Sequence, residues 1–235
     1  MRALPIVLFL SMVVACDGSD EAAVTTTDGL ATAEIGLSIQ LRSNGGIAQL
    51  FVTPTQGGAA LVLGGGDRLV GGPEDGAEEP LLAIEPAAPD AMETRHAAQF
   101  ETAATRFVVG LIRGSGERVD STCDLPAPFT PAAPDGPVSR AEPIEITWDA
   151  PAETIPMAVA IEGECIHPVY RQLQTDAGMF TIQPPDLFVA AGTQGCTLDV
   201  ELTRTGSSAS FAAELGPSPP PVTEQIRNAS IETVP

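Results

Sequence analysis

The four cysteines of this 235-residue chain, Cys16, Cys123, Cys165 and Cys196, are its residues with the widest choice of chemistry. A thiol can accept a lipid, form a disulfide, ligate a metal or attack a substrate, and its surroundings decide among these roles. No Cys-x-x-Cys spacing occurs, so we expect no zinc site at the cysteines. The segment around each cysteine indicates which of the other roles it has.

Cys16 follows a segment that is typical of a bacterial export signal. Met1-Arg2 is a short positive start, and the apolar run of residues 3–12 is shorter than the about 20 residues that span a bilayer. Residues 13–16, Val-Val-Ala-Cys, resemble a lipobox, in which the cysteine thiol receives a diacylglycerol. We expect residues 1–15 to be a lipoprotein signal peptide and fatty acyl groups on Cys16 to hold the mature chain on a membrane. The alternative is an ordinary secretory signal cut after Ala15.

The other three cysteines belong to an exported chain, where disulfides can form. Cys165 is in phase with the apolar residues of the segment before it, and Cys196 with the apolar residues of the segment after it. Both side chains therefore point to an apolar interior, and we predict a Cys165–Cys196 disulfide. Cys123 is left over. It is either a buried free thiol or a reactive, intermolecular one.

The two histidines do not indicate catalysis. His96 alternates with Ala98 and Phe100, which is typical of a half-buried structural residue on a strand, and His167 precedes Pro168 in a predicted loop. No His-x-His or His-Glu-x-x-His spacing occurs. Gly-x-Ser-x-Gly is absent, and no Ser/His/Asp set stands out. We therefore predict no catalytic residues and a protein that is not an enzyme.

Two loops could hold ligands. Residues 64–68, Gly-Gly-Gly-Asp-Arg, lack the Gly-Lys-Ser/Thr ending of a phosphate loop, which favours a simple turn. The acidic loop is formed by Glu74, Asp75, Glu78 and Glu79 around Gly76. Its oxygens suit calcium, but the spacing fits no EF-hand, so we expect a solvated loop and no bound metal or cofactor.

Composition narrows the classes of partner. With 31 Asp+Glu against 11 Lys+Arg, the formal net charge is −20, which repels phosphate backbones and argues against nucleic acid. It also argues against docking on anionic lipid through a basic patch. One Trp and one Tyr leave almost no aromatic platform for sugars, so a hydrolase acting on glycosides ranks last among the alternatives.

The elements that must position these residues are short strands. Residues 16–32 are small and polar, which predicts a flexible tether after the lipid. From residue 33 the apolar period is two, as in Ile35, Leu37, Ile39 and Leu41, and Gly- or Pro-rich breaks separate the segments. We predict a first β-sandwich over residues 33–125, a proline-rich linker over residues 126–137, and a second β-sandwich over residues 138–235.

Several segments of the predicted second β-sandwich resemble a known family. Residues 143–151, Pro-Ile-Glu-Ile-Thr-Trp-Asp-Ala-Pro, resemble the strand with a buried Trp in fibronectin type III and related immunoglobulin-like sandwiches. Residues 178–182 and 197–203 are similar to later strands of that family, although the tyrosine-corner Tyr is absent and Tyr170 lies elsewhere. The resemblance implies a fold, not an activity. The whole chain also resembles uncharacterised bacterial envelope lipoproteins of this layout.

Together these features predict an all-β chain of two tandem immunoglobulin-like sandwiches in the cell envelope, on the periplasmic side or at the cell surface. We expect lipid on Cys16 to anchor it and an envelope protein to be its partner. The alternatives are a ligand- or calcium-binding module that uses the acidic loop and, last, a hydrolase.

Overall fold

The computed structural model describes residues 25–84, 94–149, 152, 154–187 and 195–235. The predicted signal peptide, Cys16 and residues 17–24 of the predicted tether lie outside these ranges. Within them the chain is all-β, as predicted, and its helical segments are 3₁₀ turns at Thr32–Glu34 and Pro184–Asp186. No helix of this part of the chain is long and apolar enough to cross a membrane.

The described ranges contain eighteen strands, which are short and separated by turns, as the sequence predicts. The strands in chain order are β1 (Gly36–Asn44), β2 (Ile47–Gln56), β3 (Ala59–Ala60), β4 (Arg68–Pro73), β5 (Glu79–Pro80), β6 (Leu82–Ile84), β7 (Arg95–Glu101), β8 (Arg106–Ile112), β9 (Arg118–Asp124), β10 (Pro131–Ala132), β11 (Val138–Ser139), β12 (Ile144–Trp148), β13 (Met157–Glu162), β14 (Val169–Leu173), β15 (Met179–Ile182), β16 (Thr197–Gly206), β17 (Ser208–Ser210) and β18 (Val222–Val234).

The alternation of β1 shows why these segments are strands. Leu37 and Leu41 are fully buried, whereas Arg42 and Asn44 are exposed, because successive side chains of a strand point to opposite faces. The turn to β2 needs positive φ, which Gly45 (62°) and Gly46 (116°) supply without a Cβ clash. This turn fixes the antiparallel register of β1 and β2 from Gly36–Thr55 to Asn44–Ile47.

One ten-stranded sheet extends through both halves of the described chain, in the order β14-β13-β16-β18-β1-β2-β7-β6, with β3 and β11 at its margins. In the first half, residues 25–125, it packs against the five-stranded sheet β17-β9-β8-β4-β5 around one apolar core. In the second half, residues 126–235, it packs against the three-stranded sheet β10-β12-β15 around another. Two sandwiches therefore share a sheet.

The strand β18 joins the two sandwiches. Its start pairs in parallel with β1, from Gln40–Val222 to Asn44–Ile226, and its residues Thr223 to Glu232 pair antiparallel with β16. The connection between β16 and β18 also returns to the first half, where β17 pairs with β9 and Leu215 is buried in the first core. Residues 208–221 thus pack with the first sandwich, although the sequence boundary at residues 126–137 groups them with the second.

Residues 25–32 are a second point where the structure differs from the expectation. The sequence predicts a flexible tether over residues 16–32, but Thr27 is fully buried. Its N–H donates to the Val62 carbonyl over 2.9 Å, and the Val62 N–H donates to the Thr25 carbonyl over 3.0 Å. The small, polar composition of this segment could not reveal the attachment, because these two hydrogen bonds join backbone N–H and carbonyl groups.

Candidate functional site

The predicted disulfide joins Cys165 and Cys196, whose Cα atoms are 5.9 Å apart. Cys165 follows β13 and Cys196 precedes β16, and these strands pair antiparallel from Met157–Arg204 to Glu162–Asp199. The bond therefore closes the end of the sheet where both strands leave the core. Thr233 Oγ1 donates to the Cys196 carbonyl over 2.8 Å, which attaches the end of β18 to the same place.

Cys123 is a free thiol on β9, fully buried in the first core. Burial, with the neighbouring charge of Asp124, raises the pKa of the thiol to about 12. The thiolate is the nucleophile and the metal ligand, and at neutral pH it is scarcely populated at such a pKa. Of the two alternatives for Cys123, the structure favours the structural one.

His96 on β7 is 5% exposed, which makes it more buried than the half-buried residue that the sequence predicts. Burial lowers the pKa of its imidazole. A hydrogen bond with the Val52 backbone raises the pKa, but by less, so the pKa lies below its usual value. A buried neutral imidazole on a central strand is a packing residue. His167 is exposed, in the loop that follows Cys165.

The acidic loop connects β4 and β5, and two of its carboxylates, those of Glu74 and Glu78, lie near arginines on the neighbouring strands. Glu78 pairs with both terminal nitrogens of Arg118, and this hydrogen bonding holds the pKa of Glu78 below its usual value. Glu74 lies 3.9 Å from Arg106. Over the described residues, no group of three or more His, Cys, Asp or Glu side chains could hold a metal ion. The loop is therefore an ion-pairing element of the five-stranded sheet.

The glycine-rich segment before β4 is a turn, with positive φ at Gly65 (61°) and Gly66 (83°). Its acid Asp67 is nearly buried, and its Oδ2 lies 3.1 Å from Arg113 Nε. Burial raises the pKa of Asp67, but hydrogen bonds from Thr27, the Gly114 N–H and Arg113 outweigh it and hold the pKa below its usual value. The segment therefore fixes residues 27–32 to the first half and does not have the form of a phosphate loop.

A buried ion pair in the second half is absent from the sequence-based prediction. Asp176 and Arg204 both have fully buried side chains, and Oδ2 of the acid lies 2.5 Å from Nη2 of the base. Asp176 also accepts a hydrogen bond from Trp148 Nε1 over 2.5 Å and one from the Ala152 N–H over 3.1 Å. The Trp that the sequence places in the core is thus held by a charged partner.

The predicted linker is held by the same arginine. Arg204 Nη1 donates to the Ala127 carbonyl over 2.6 Å, and its guanidinium lies 4.5 Å from the centre of the Phe129 ring. Arg227 donates from Nε to the Phe129 carbonyl over 3.1 Å. Phe129 is 3% exposed in the second core, so residues 127–129 are a fixed part of the second sandwich.

The outer face of the sheet in the second half is the charged surface that sequence reasoning missed. Across this face, Tyr170 of β14 lies beside Ala160 of β13, and Ala160 lies beside Glu201 of β16. The next row places Glu162 beside Asp199. Val159, Ile161 and Val200 point to the opposite face, into the core. We call the outward residues Ala160, Glu162, Tyr170, Asp199, Glu201, Asn228 and Ser230 the acidic sheet face.

The acidic sheet face encloses a hollow of about 470 Å³. Ala160 forms the bottom of the hollow, because its small side chain leaves space between the longer side chains of Tyr170 and Glu201. Glu162, Asp199 and Glu201 line the hollow, and Asp199 accepts a hydrogen bond from Ser230 over 2.9 Å. None of the three carboxylates makes an ion pair with another described residue, whereas Glu78 and Asp120 share Arg118. Tyr170 is 63% exposed beside the hollow.

A sequence signal for this face exists in β16. Asp199 and Glu201 alternate with Leu198, Val200 and Leu202, so both acids must share the face opposite the core. The nearest face residues of the partner strands are far from Glu201 in the chain: Glu162 of β13 is 39 residues away and Asn228 of β18 is 27 residues away. The alternation shows that an acidic face exists but not which strands complete it.

Comparison with known proteins does not identify a family for this chain. No family model matches the chain, and no curated protein matches its sequence. Among solved structures, it is similar to murine CEACAM1b (TM-score 0.27, 7% identity, covering 84% of this chain and 100% of that one). Fibronectin(III)-like modules of Clostridium thermocellum CbhA give a TM-score of 0.27 with 10% identity, covering 84% and 93%. The adhesin InvE of Yersinia pseudotuberculosis gives 0.24 with 13% identity, covering 86% and 59%.

Proposed function

We propose that the protein is a lipid-anchored, non-enzymatic component of the bacterial cell envelope that binds a protein partner through the acidic sheet face. The observation that carries the binding part is the grouping of Glu162, Asp199 and Glu201 around one hollow, whose lining among the described residues includes no basic side chain. The lipobox of residues 13–16 supports the anchor.

The chemistry of the acidic sheet face selects a basic partner. The three carboxylates that line the hollow above the small Ala160 suit an Arg or Lys side chain that enters it. Tyr170 offers its exposed ring for a cation–π contact with the same side chain or its neighbour. The outer side of the sheet then presents an extended surface to the rest of the partner.

The stable body behind this face suits recognition without rearrangement. The Cys165–Cys196 disulfide closes one end of the sheet, and the buried Asp176–Arg204 pair holds residues 127–129 near the other. A preorganised surface loses less conformational entropy when a partner binds. We therefore expect the face to have the same shape free and bound.

Site-specific cross-linking in intact cells tests this function. Replacement of Tyr170 by p-benzoylphenylalanine places a photo-reactive group beside the hollow, and the same replacement at Leu82, which is 69% exposed on β6 of the first half, is the control position. We expect a protein adduct from position 170 whose cross-linked peptide contains Arg or Lys. Adducts with lipid alone, or equal protein adducts from both positions, would contradict the proposed binding surface.

The anchor is tested separately on the mature protein. Mass spectrometry of the N-terminal peptide should show Cys16 as the first residue, with a diacylglyceryl group. An unmodified N-terminus at Cys16 would show that an ordinary secretory peptidase cuts the chain and that the lipid part of the proposal is wrong.

A further inference from the structure

Residues 25–34 form an N-terminal strap that is fixed to the first half. Beside the bonds of Thr27, Arg113 Nη2 donates to the Leu30 carbonyl over 2.8 Å and Arg113 Nη1 donates to Thr32 Oγ1 over 3.2 Å. Arg113 is itself held by Asp67. A side chain fixed by an ion pair and bonded to two points of the strap prevents the strap from lifting independently of the sheet.

The strap leads directly into the start of β1, and the second half lies beyond the other end of that strand. Val222 of β18 is beside Gln40, and Ile226 is beside Asn44, the last residue of β1. Eight more residues carry β18 to Val234, which at about 3.3 Å per residue is roughly 26 Å beyond β1. With the nine residues of β1, the shared sheet extends about 55 Å from the strap.

The covalent distance from Cys16 to the strap is short by comparison. Thr25 is nine positions after Cys16, and a fully extended chain of nine residue steps spans at most about 32 Å. A lipid on Cys16 therefore cannot lie at the far end of the second half. The acidic sheet face also opposes a flat position on anionic lipid, because like charges repel.

We infer that the protein stands on the membrane with the strap end of its first half towards the lipid and its second half, including the disulfide and the acidic sheet face, pointing away. This orientation rests on the proposed lipidation of Cys16. It implies that the partner reaches the acidic sheet face from the aqueous side rather than from within the same membrane surface.

Energy transfer from the protein to the lipid surface tests the orientation. The lipidated full chain is reconstituted in phosphatidylethanolamine–phosphatidylglycerol vesicles that carry a headgroup acceptor dye. A donor is attached to Ser115→Cys, in the exposed turn between β8 and β9 near the strap, or to Ala141→Cys, near the end of β18. We expect severalfold more efficient transfer from position 115 than from position 141. Equal transfer would indicate a flat body, and greater transfer from position 141 an inverted one; either result overturns the inference.

Two controls separate this inference from the function on which it rests. Cys16→Ala should abolish vesicle association. If the unaltered chain carries no lipid on Cys16, the proposed anchor itself is refuted. Arg113→Met, checked for native far-UV circular dichroism, releases the strap and should reduce the difference between the two positions. If the chain is lipidated and this variant keeps the full difference, the strap does not set the orientation.

Discussion

Arg204 and Asp176 form an ion pair 2.5 Å long between side chains that are both completely buried. Arg204 is on β16, and Asp176 is in the turn before β15, so the pair connects the two sheets of the second sandwich. Buried charges persist only where each has a close partner and further hydrogen bonds. Trp148, the Ala152 N–H and the Ala127 carbonyl supply those bonds.

Removal of the acid should therefore be costly. We expect Asp176→Asn to lower the free energy of unfolding by about 3–5 kcal/mol, because it leaves the charge of Arg204 buried without its counter-ion. Guanidinium unfolding followed by Trp148 fluorescence measures the change. The matched control is Asp186→Asn, which breaks an exposed pair with Arg171 and should cost at most about 1 kcal/mol. Equal losses in the two variants would contradict a special role for the buried pair.

Much of the fold could be predicted from the sequence, because the signal was local. The period of two in residues 35–41 identifies β1 and its buried side, and the phases of Cys165 and Cys196 predict their bond. The parallel pairing of β1 with β18 could not be predicted, because alternation encodes which side of a strand is buried and not which strand lies beside it. The ion pair of Arg204 with Asp176 could not be predicted either, because it depends on how the two sheets of the second sandwich pack together.

Cys123 should be unreactive in the native protein. At pH 8, a thiol with a pKa of about 12 is almost entirely protonated, and its burial also blocks access. Iodoacetamide without reductant should label no cysteine of the mature lipidated chain until guanidinium is added, and then exactly one. Native labelling at the rate of a free cysteine, or more than one labelled thiol after unfolding, would contradict the structure.

His96 should make stability depend on pH in a defined direction. Its folded-state pKa lies below the ordinary value of 6.5, so between these two values the unfolded chain binds more protons than the folded one. Stability is therefore complete above about pH 6.5 and falls as the pH decreases below it. Melting temperatures at pH 7.5 and 5.5 should differ more in the unaltered protein than in His96→Gln. An equal decrease in both proteins would show that other groups cause it.

Calcium should not stabilise the protein through the acidic loop. Arg118 already holds Glu78, and Glu74 lies near Arg106, so the loop would have to break ion pairs before its oxygens could surround a cation. We expect the same melting temperature in millimolar calcium and in EDTA. A clear rise with calcium that Glu74→Gln abolishes would restore the calcium-binding alternative.

In the proposed function the acidic sheet face, rather than acidity in general, binds the partner. The most direct measurement is the yield of the protein adduct from position 170 in two charge-neutralised backgrounds. Glu162→Gln with Asp199→Asn and Glu201→Gln removes the charge of the face; Glu74→Gln with Asp75→Asn and Glu79→Gln removes the same charge from the acidic loop. We predict that the first set abolishes the adduct and the second leaves it unchanged, and an equal loss in both sets would contradict the claim.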